Sequence, residues 1–253
     1  MFDLSLTSDG VAHLVLNAPE RLNALRKDDW TRLAILLDDV AIRPALRALV
    51  LSGAGDKAFC AGGDIKEFQA LRMGADAAQA YNAEVDRALA ALQALPCPTL
   101  ARIHAPCFGG GLMLALACDL RFAGPRATFC APPAKMSFTY NASALDLLVR
   151  LIGEGRAKDL LFTARTFGAE EALSLGLLNG LEDDLDRLVD ERLGQILSLA
   201  PLSHQAHKRL LNENPAPGSL AERVLTDHLY ESDDYRAAVE AFAARKKPNF
   251  KGS

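Results

Sequence analysis

The chain lacks any long basic run, any apolar stretch of membrane length and any closely spaced pair of cysteines. Each absence removes a class of function. Without a Lys/Arg-rich run, and with a net charge of −4, nucleic acid is excluded as the main partner, although Arg245-Lys246-Lys247 near the end suits a phosphate-bearing ligand. The longest apolar run, Gly111 to Cys118, falls far short of the roughly 20 residues that span a bilayer, so no membrane partner is expected. The opening MFDLSLTSDG has neither a basic n-region nor an apolar h-region, which predicts a cytoplasmic protein. Cys60, Cys97, Cys107, Cys118 and Cys130 are odd in number and sit mostly in apolar stretches, so buried free thiols are expected rather than a metal or redox site. His204 and His207 are the one close histidine pair; no cysteine or carboxylate completes a ligand set with them, and they read as helix-surface residues.

What is there is globular in kind. A hydrophobic fraction of 50% and a charged fraction of 24% over 253 residues support one large domain, or one domain with a small C-terminal appendage. VAHLVLN at 11 to 17 reads as a strand, and 28 to 41 places Trp30, Leu33, Leu37 and Val40 on one helical face. ALRALVLSG at 45 to 53 reads as a second strand. Helical stretches follow at 64 to 73 and 76 to 95, then a strand at 99 to 104, a helix at 110 to 118 and short extended pieces at 119 to 123 and 127 to 130. Strands alternating with helices predict an α/β domain with its ligand at the strand ends. From about residue 144 the pattern is almost wholly helical, punctuated by Pro201, Pro215, Pro217 and Gly218.

Two glycine loops carry the chemistry. CFGGGLMLALACD at 107 to 119 strips every side chain from a helix start, and AFCAGGDIKEF at 58 to 68 has the same layout, with Asp64 expected to cap the following helix and Lys66 and Glu67 to face solvent. Backbone N–H groups at two such turns can converge on one oxygen that is becoming negative. Each loop alone is also compatible with a plain tight turn. No acid, base or nucleophile stands in the turn after Gly111, where Leu112 and Met113 follow.

LNAL at 22 to 25, AFCAGGDIKEF at 58 to 68, FGGGLMLALACDLRFA at 108 to 123 and AFAARKKPNF at 241 to 250 resemble the crotonase, or enoyl-CoA hydratase/isomerase, superfamily in order and spacing, and the chain is identified as a member. The resemblance implies an α/β fold: a ββα superhelix over residues 1–195 and a helical region at 196–253 for trimerisation and CoA cover. It also implies an acyl-CoA thioester as substrate, with no separate cofactor, and a homotrimer or dimer of trimers. The oxyanion donors would be the N–H groups of Gly63 and Gly110. Backbone near Leu22 and Ala24 and the loop from Ala61 through Asp64 to Ile65, with Phe108, would hold the CoA. Arg245, Lys246 or Phe250 would meet its phosphate end, the alternative for the basic cluster being a solvated helix end.

Hydratases of the superfamily carry two glutamates, and their positions fall here on Met113 and Pro133. Neither can move a proton, so the acid and base of hydration are both missing. A malonyl-type thioester needs neither, because loss of CO2 makes the enolate directly, and apolar Met113, Pro132 and Pro133 suit a dry site. MSFTYNASALDLL at 136 to 148 and YESDDYRAAVEAFAARKKPNFKG at 230 to 252 further resemble methylmalonyl-CoA decarboxylases, which implies an active-site role for Tyr140. Without the resemblance Tyr140 reads as a packing residue beside an Asn141 N-cap. That decarboxylase pattern has histidine at the place of Gly63 and an acidic residue at that of Met113, which leaves the acyl group open. The expected function is decarboxylation of a small malonyl-type thioester. The alternatives are a hydratase or isomerase with its acid or base from Glu67, Glu84 or Asp146, and a non-catalytic acyl-CoA-binding trimer.

Overall fold

In the computed structural model, which describes residues 1–253, the chain opens as an antiparallel pair, β1 (Phe2–Leu6) against β2 (Val11–Leu16). Next come α1 (Lys27–Ala41), β3 (Ala48–Gly53), the four-residue α2 (Phe68–Leu71) and the long α3 (Ala75–Ala94). They are followed by β4 (Thr99–Ile103), β5 (Cys107–Phe108), α4 (Gly110–Ala117), β6 (Leu120–Ala123) and β7 (Thr128–Cys130). The remainder is α5 (Ala142–Ile152), α6 (Glu154–Thr163), β8 (Thr166–Gly168), α7 (Ala169–Ser174), β9 (Gly180–Leu181), α8 (Leu185–Leu197), α9 (Pro201–Glu213), α10 (Leu220–Glu231) and α11 (Asp233–Ala243). The six-stranded sheet runs β1-β2-β3-β4-β6-β9 and is parallel from β2 onward; a small second sheet runs β5-β7-β8.

The parallel strands are mostly apolar because both faces are covered, with Arg102 on β4 and Arg121 on β6 as charged exceptions. On β3, Leu49 and Leu51 point into the larger core with Leu14, Leu16, Leu33 and Leu37, while Ala48 and Val50 point the other way, onto Leu185, Leu188 and Val189 of α8. Helix α1 enters that larger core through Trp30, Leu33, Leu37 and Val40, the face read from the sequence. The five cysteines are free and buried, as expected.

The stretch expected to be helical from 64 to 73 is shorter. It is a 3-10 turn at Ile65–Glu67 followed by α2, and the backbone leaves the helix at Arg72. Glu67, expected to face solvent, turns inward instead, because its carboxylate accepts the Lys27 N–H at the start of α1 (2.6 Å). It is half-buried, not solvated, while Lys66 is exposed. His204 is likewise half-buried, its ring against the Ile196 carbonyl at 3.2 Å; His207 is exposed.

Helix α9 is fastened to the sheet by the buried Lys208, which reaches Asp119 (2.8 Å) and donates to the Cys97 carbonyl (3.0 Å). The C-terminal tail folds back, with the Lys251 and Gly252 N–H groups on the Asp234 carboxylate at 2.7 and 2.8 Å. Leu220, Val224, Tyr230, Val239 and Phe242 leave an apolar outer surface on α10 and α11. No helix is long and apolar enough to cross a membrane.

Candidate active site

Gly109 has φ +52° and ψ −118°, a backbone that side chains disfavour, and its N–H donates to the Cys130 carbonyl at 3.1 Å. This turn starts α4 at Gly110, whose N–H, as the first of the helix, has no acceptor. A Cβ on Gly111 would lie 2.4 Å from the Cys60 carbonyl oxygen, so the second loop packs directly on the first.

In that second loop the Leu25 N–H bonds the Gly62 carbonyl (2.7 Å) and the Asp64 N–H bonds the Leu25 carbonyl (2.8 Å). Gly63 stands between these bonds, and its own N–H donates to nothing. The two free donors are close: a Cβ on Gly62 would fall 3.1 Å from the Gly110 nitrogen, and one on Gly110 would fall 3.5 Å from the Gly63 nitrogen. Paired unsatisfied N–H groups at this separation form a preorganised seat for one negative oxygen. At the far end of α4 the buried Arg121 guanidinium donates to the carbonyls of Cys118 (2.6 Å) and Leu177 (2.7 Å), which fixes the helix.

The donors open on a cavity of about 90 Å³. Of the residues expected at the site, Ala61, Gly63, Ile65, Gly110, Met113, Pro132, Pro133 and Tyr140 line it. The other expected residues do not. Leu22 borders a neighbouring groove with Lys57, and Ala24 is buried beside it. Asp64 caps the 3-10 turn through the Lys66 N–H and pairs with Arg26 at 3.1 Å; burial pushes its carboxyl up, but these partners outweigh that and hold it below its ordinary value. The Phe108 main chain is engaged with Cys60, its N–H 3.0 Å from the Cys60 carbonyl. Arg245 and Lys246 are exposed after α11, and Phe250 is half-buried in the tail.

No aspartate, glutamate, histidine or cysteine lines the cavity; its titratable side chains are Arg72, Tyr81 and Tyr140. The three carboxylates considered as substitutes lie outside its wall and have partners of their own, although Glu67 stands near the Tyr81 hydroxyl. Glu67 caps α1, Glu84 accepts from the Thr31 hydroxyl (2.8 Å), and Asp146 pairs with Arg150 (2.8 Å) on α5. Tyr140 is 8% exposed, and its hydroxyl has no hydrogen-bond partner. Burial first, and then the Cys130 and Cys107 thiols beside it, push its pKa far up, so it is a neutral phenol. Asn141 next to it accepts the Ala144 N–H (3.3 Å), so the cap and the cavity wall coexist.

Tyr81 on α3 was not legible as a site residue. Its hydroxyl also lacks a partner and lies 3.6 Å from the place a Gly63 Cβ would take. Burial, followed by the nearby Glu67 charge, raises its pKa. The Trp30 indole N–H is a third buried donor without a partner, and its ring would touch a Cβ on Gly110 at 2.9 Å. In sequence Tyr81 shares the apolar stripe of Val85, Ala88, Leu89 and Leu92, and no signal separates it from core.

The sequence profile of the enoyl-CoA hydratase/isomerase family matches residues 7–253. The chain belongs to that family. A crotonyl-CoA hydratase of Syntrophomonas wolfei is 32% identical over 246 residues, covering 95% of this chain and 94% of that protein. An (E)-benzylidenesuccinyl-CoA hydratase of Thauera aromatica is 32% identical over 255 residues, covering 97% of each. A solved enoyl-CoA hydratase/carnithine racemase from Magnetospirillum magneticum superposes with a TM-score of 0.94 at 33% identity, over 100% of this chain and 96% of that one. The fold is therefore the α/β crotonase fold, and the chain is an acyl-CoA-processing enzyme of the crotonase superfamily. Within this family, a cavity wall without any carboxylate bears directly on which reaction is run.

Proposed function

We propose that the chain removes CO2 from a short malonyl-type acyl-CoA thioester and stabilises the enolate with the N–H groups of Gly63 and Gly110. The observation that carries this reading is a pair of free backbone donors facing a cavity that has no carboxylate, imidazole or thiol in its wall. Hydration would need a group to activate water and another to protonate the α-carbon. Decarboxylation needs neither to reach its intermediate. The bond between the α-carbon and the carboxyl carbon breaks, its electrons pass to the thioester oxygen, and CO2 leaves; one proton then adds to the α-carbon. Tyr140, a neutral phenol in the wall, is the donor in this reading.

The cavity of about 90 Å³ has room for a short acyl group, given that one ordered water needs roughly 10–15 Å³. Main chain at Leu22, Ala24, Ala61, Asp64, Ile65 and Phe108 carries the CoA outward, and Arg245, Lys246 and Phe250 meet its phosphate end outside the cavity. The apolar outer surface of α10 and α11 packs on further copies, as a homotrimer or dimer of trimers, which a light-scattering mass of the monomer alone would contradict.

The test is mass spectrometry of products from methylmalonyl-, ethylmalonyl-, malonyl- and crotonyl-CoA. A malonyl-type member loses CO2, and Tyr140→Phe slows that loss. Water addition to crotonyl-CoA with no CO2 loss would replace this reading with a hydratase, the activity that the names of the relatives carry. Binding of the panel without any product would make the chain a non-catalytic acyl-CoA binder.

A further inference from the structure

Arg72 is the cation of the cavity wall, and no carboxylate holds it. Its guanidinium lies over three aromatic rings, 4.3 Å from the centre of Phe138, 4.8 Å from Phe68 and 5.3 Å from Tyr81. It makes one hydrogen bond, to the Asn82 side-chain oxygen at 2.8 Å, and takes part in no salt bridge. A guanidinium has five N–H donors, so most of the fork is unused. The contrast with Arg121 is direct, since that buried side chain donates to the carbonyls of Ala115, Cys118, Asp119 and Leu177 and to Asn179. Burial works against the charge of Arg72 and lowers its pKa, although the cation persists.

The rings that hold Arg72 also touch the anion seat. The Phe68 ring comes within 3.1 Å of where a Gly63 Cβ would stand, and the Tyr81 hydroxyl within 3.6 Å. Asn82 lines the same cavity; with its oxygen taken by Arg72, its amide nitrogen keeps both hydrogens free. A cation with an unused fork, an amide donor beside it and an apolar floor match a planar anion rather than an alkyl chain.

We infer that Arg72, with Asn82, selects an acyl group that carries a carboxylate of its own. The inference rests on the reading that places the thioester oxygen on Gly63 and Gly110, and it names the substrate class of that site. Pairing a carboxylate with Arg72 stabilises bound substrate as much as it does any later state in which that charge persists, and more where the charge departs as CO2. Loss of Arg72 therefore raises KM and lowers kcat little, or not at all.

The test is calorimetric titration of the full-length protein with sulfoacetyl-CoA, whose sulfonate cannot leave as CO2, with succinyl-CoA, and with neutral butyryl-CoA. At least one anionic ligand binds about ten- to hundredfold more tightly than butyryl-CoA. Arg72→Met reduces that preference, read as the ratio of anionic to butyryl-CoA affinity in the same variant, to about threefold or less, whereas Arg72→Lys keeps part of it. If Arg72→Met melts early, Arg72→Lys and Asn82→Leu carry the comparison, each losing part of the preference. Equal binding of butyryl-CoA and both anions by the wild type, or an undiminished preference in the variants, overturns the inference. An Arg72-dependent preference in a protein that releases no CO2 would uphold the inference and sink decarboxylation alone.

Discussion

Gly110→Ala is the sharpest perturbation of the anion seat, because its consequences follow from distances already fixed. The new methyl would stand 2.9 Å from Cζ2 and 3.3 Å from Cη2 of Trp30, a side chain only 1% exposed and packed in the core. The indole cannot swing away without disturbing Leu33 and Leu37 on the same helix face, so the first turn of α4 moves instead. Overpacking of this kind costs about 1–3 kcal/mol, a fall in Tm of roughly 2–6 °C for a chain this long. The same methyl lies 3.5 Å from the Gly63 nitrogen and crowds the space between the two donors. Spoiling one donor of such a pair lowers the rate about 10²- to 10³-fold. Gly155→Ala on α6 is the control, since a Cβ there meets nothing within 4 Å, and it gains up to about 1 kcal/mol. Urea unfolding gives both stabilities, and kcat/KM on whichever thioester turns over gives the rate. A folded Gly110→Ala protein with wild-type kcat/KM would refute the anion seat.

Asn23 is fully buried at φ +57°, donates to the Ala54, Ala58 and Phe59 carbonyls and accepts the Ala18 N–H. Asn23→Ala strands these groups in a left-handed backbone and should cost about 3–5 kcal/mol by urea unfolding; a loss below about 1 kcal/mol would contradict the assignment. His104 has both ring nitrogens buried without a partner, and burial, then the Arg102 charge, pulls its pKa below 6.5. Its stabilising effect is complete above about pH 6.5 and is lost as the pH falls through the lower folded value, because the unfolded chain takes up the proton first. On the alkaline side burial pushes the Cys60 thiol up to about 12, so stability falls as the pH rises from 9 towards that value. Unfolding curves from pH 5 to pH 10 check both limbs, and His104→Gln should flatten the acidic one.

Much of the larger sheet could be read directly. The alternation at 11–17 and the β-rich run at 45–53 that ends at glycine mark two of its strands, β2 and β3. β5, β8 and β9 could not, because ladders of two or three residues are set by partners distant in sequence. The Asp64 cap was legible from its place before a helical turn, but the inward turn of Glu67 was not, since its partner is the Lys27 N–H on another helix. The anion loops and the apolar Met113 and Pro133 stand at fixed spacings and were open to reading. The opposite wall, from Trp30 through Arg72 and Tyr81 to Phe138, is assembled from separate segments whose residues each look like core or surface. Nothing local distinguishes an arginine that will find three aromatic rings from one that will face water.

In the proposed reading the charge-stabilising part of this site belongs to the main chain, and that has a consequence for how such a protein changes over generations. A substitution at Met113, Pro133 or Tyr140 alters what can be done to a bound thioester without touching either amide. The amides are lost only when the turns themselves are broken, which costs the fold as well, because Gly111 rests on the Cys60 carbonyl and Arg121 clamps the other end of the helix. Selection can therefore exchange the proton-moving groups one at a time while the anion seat is inherited intact.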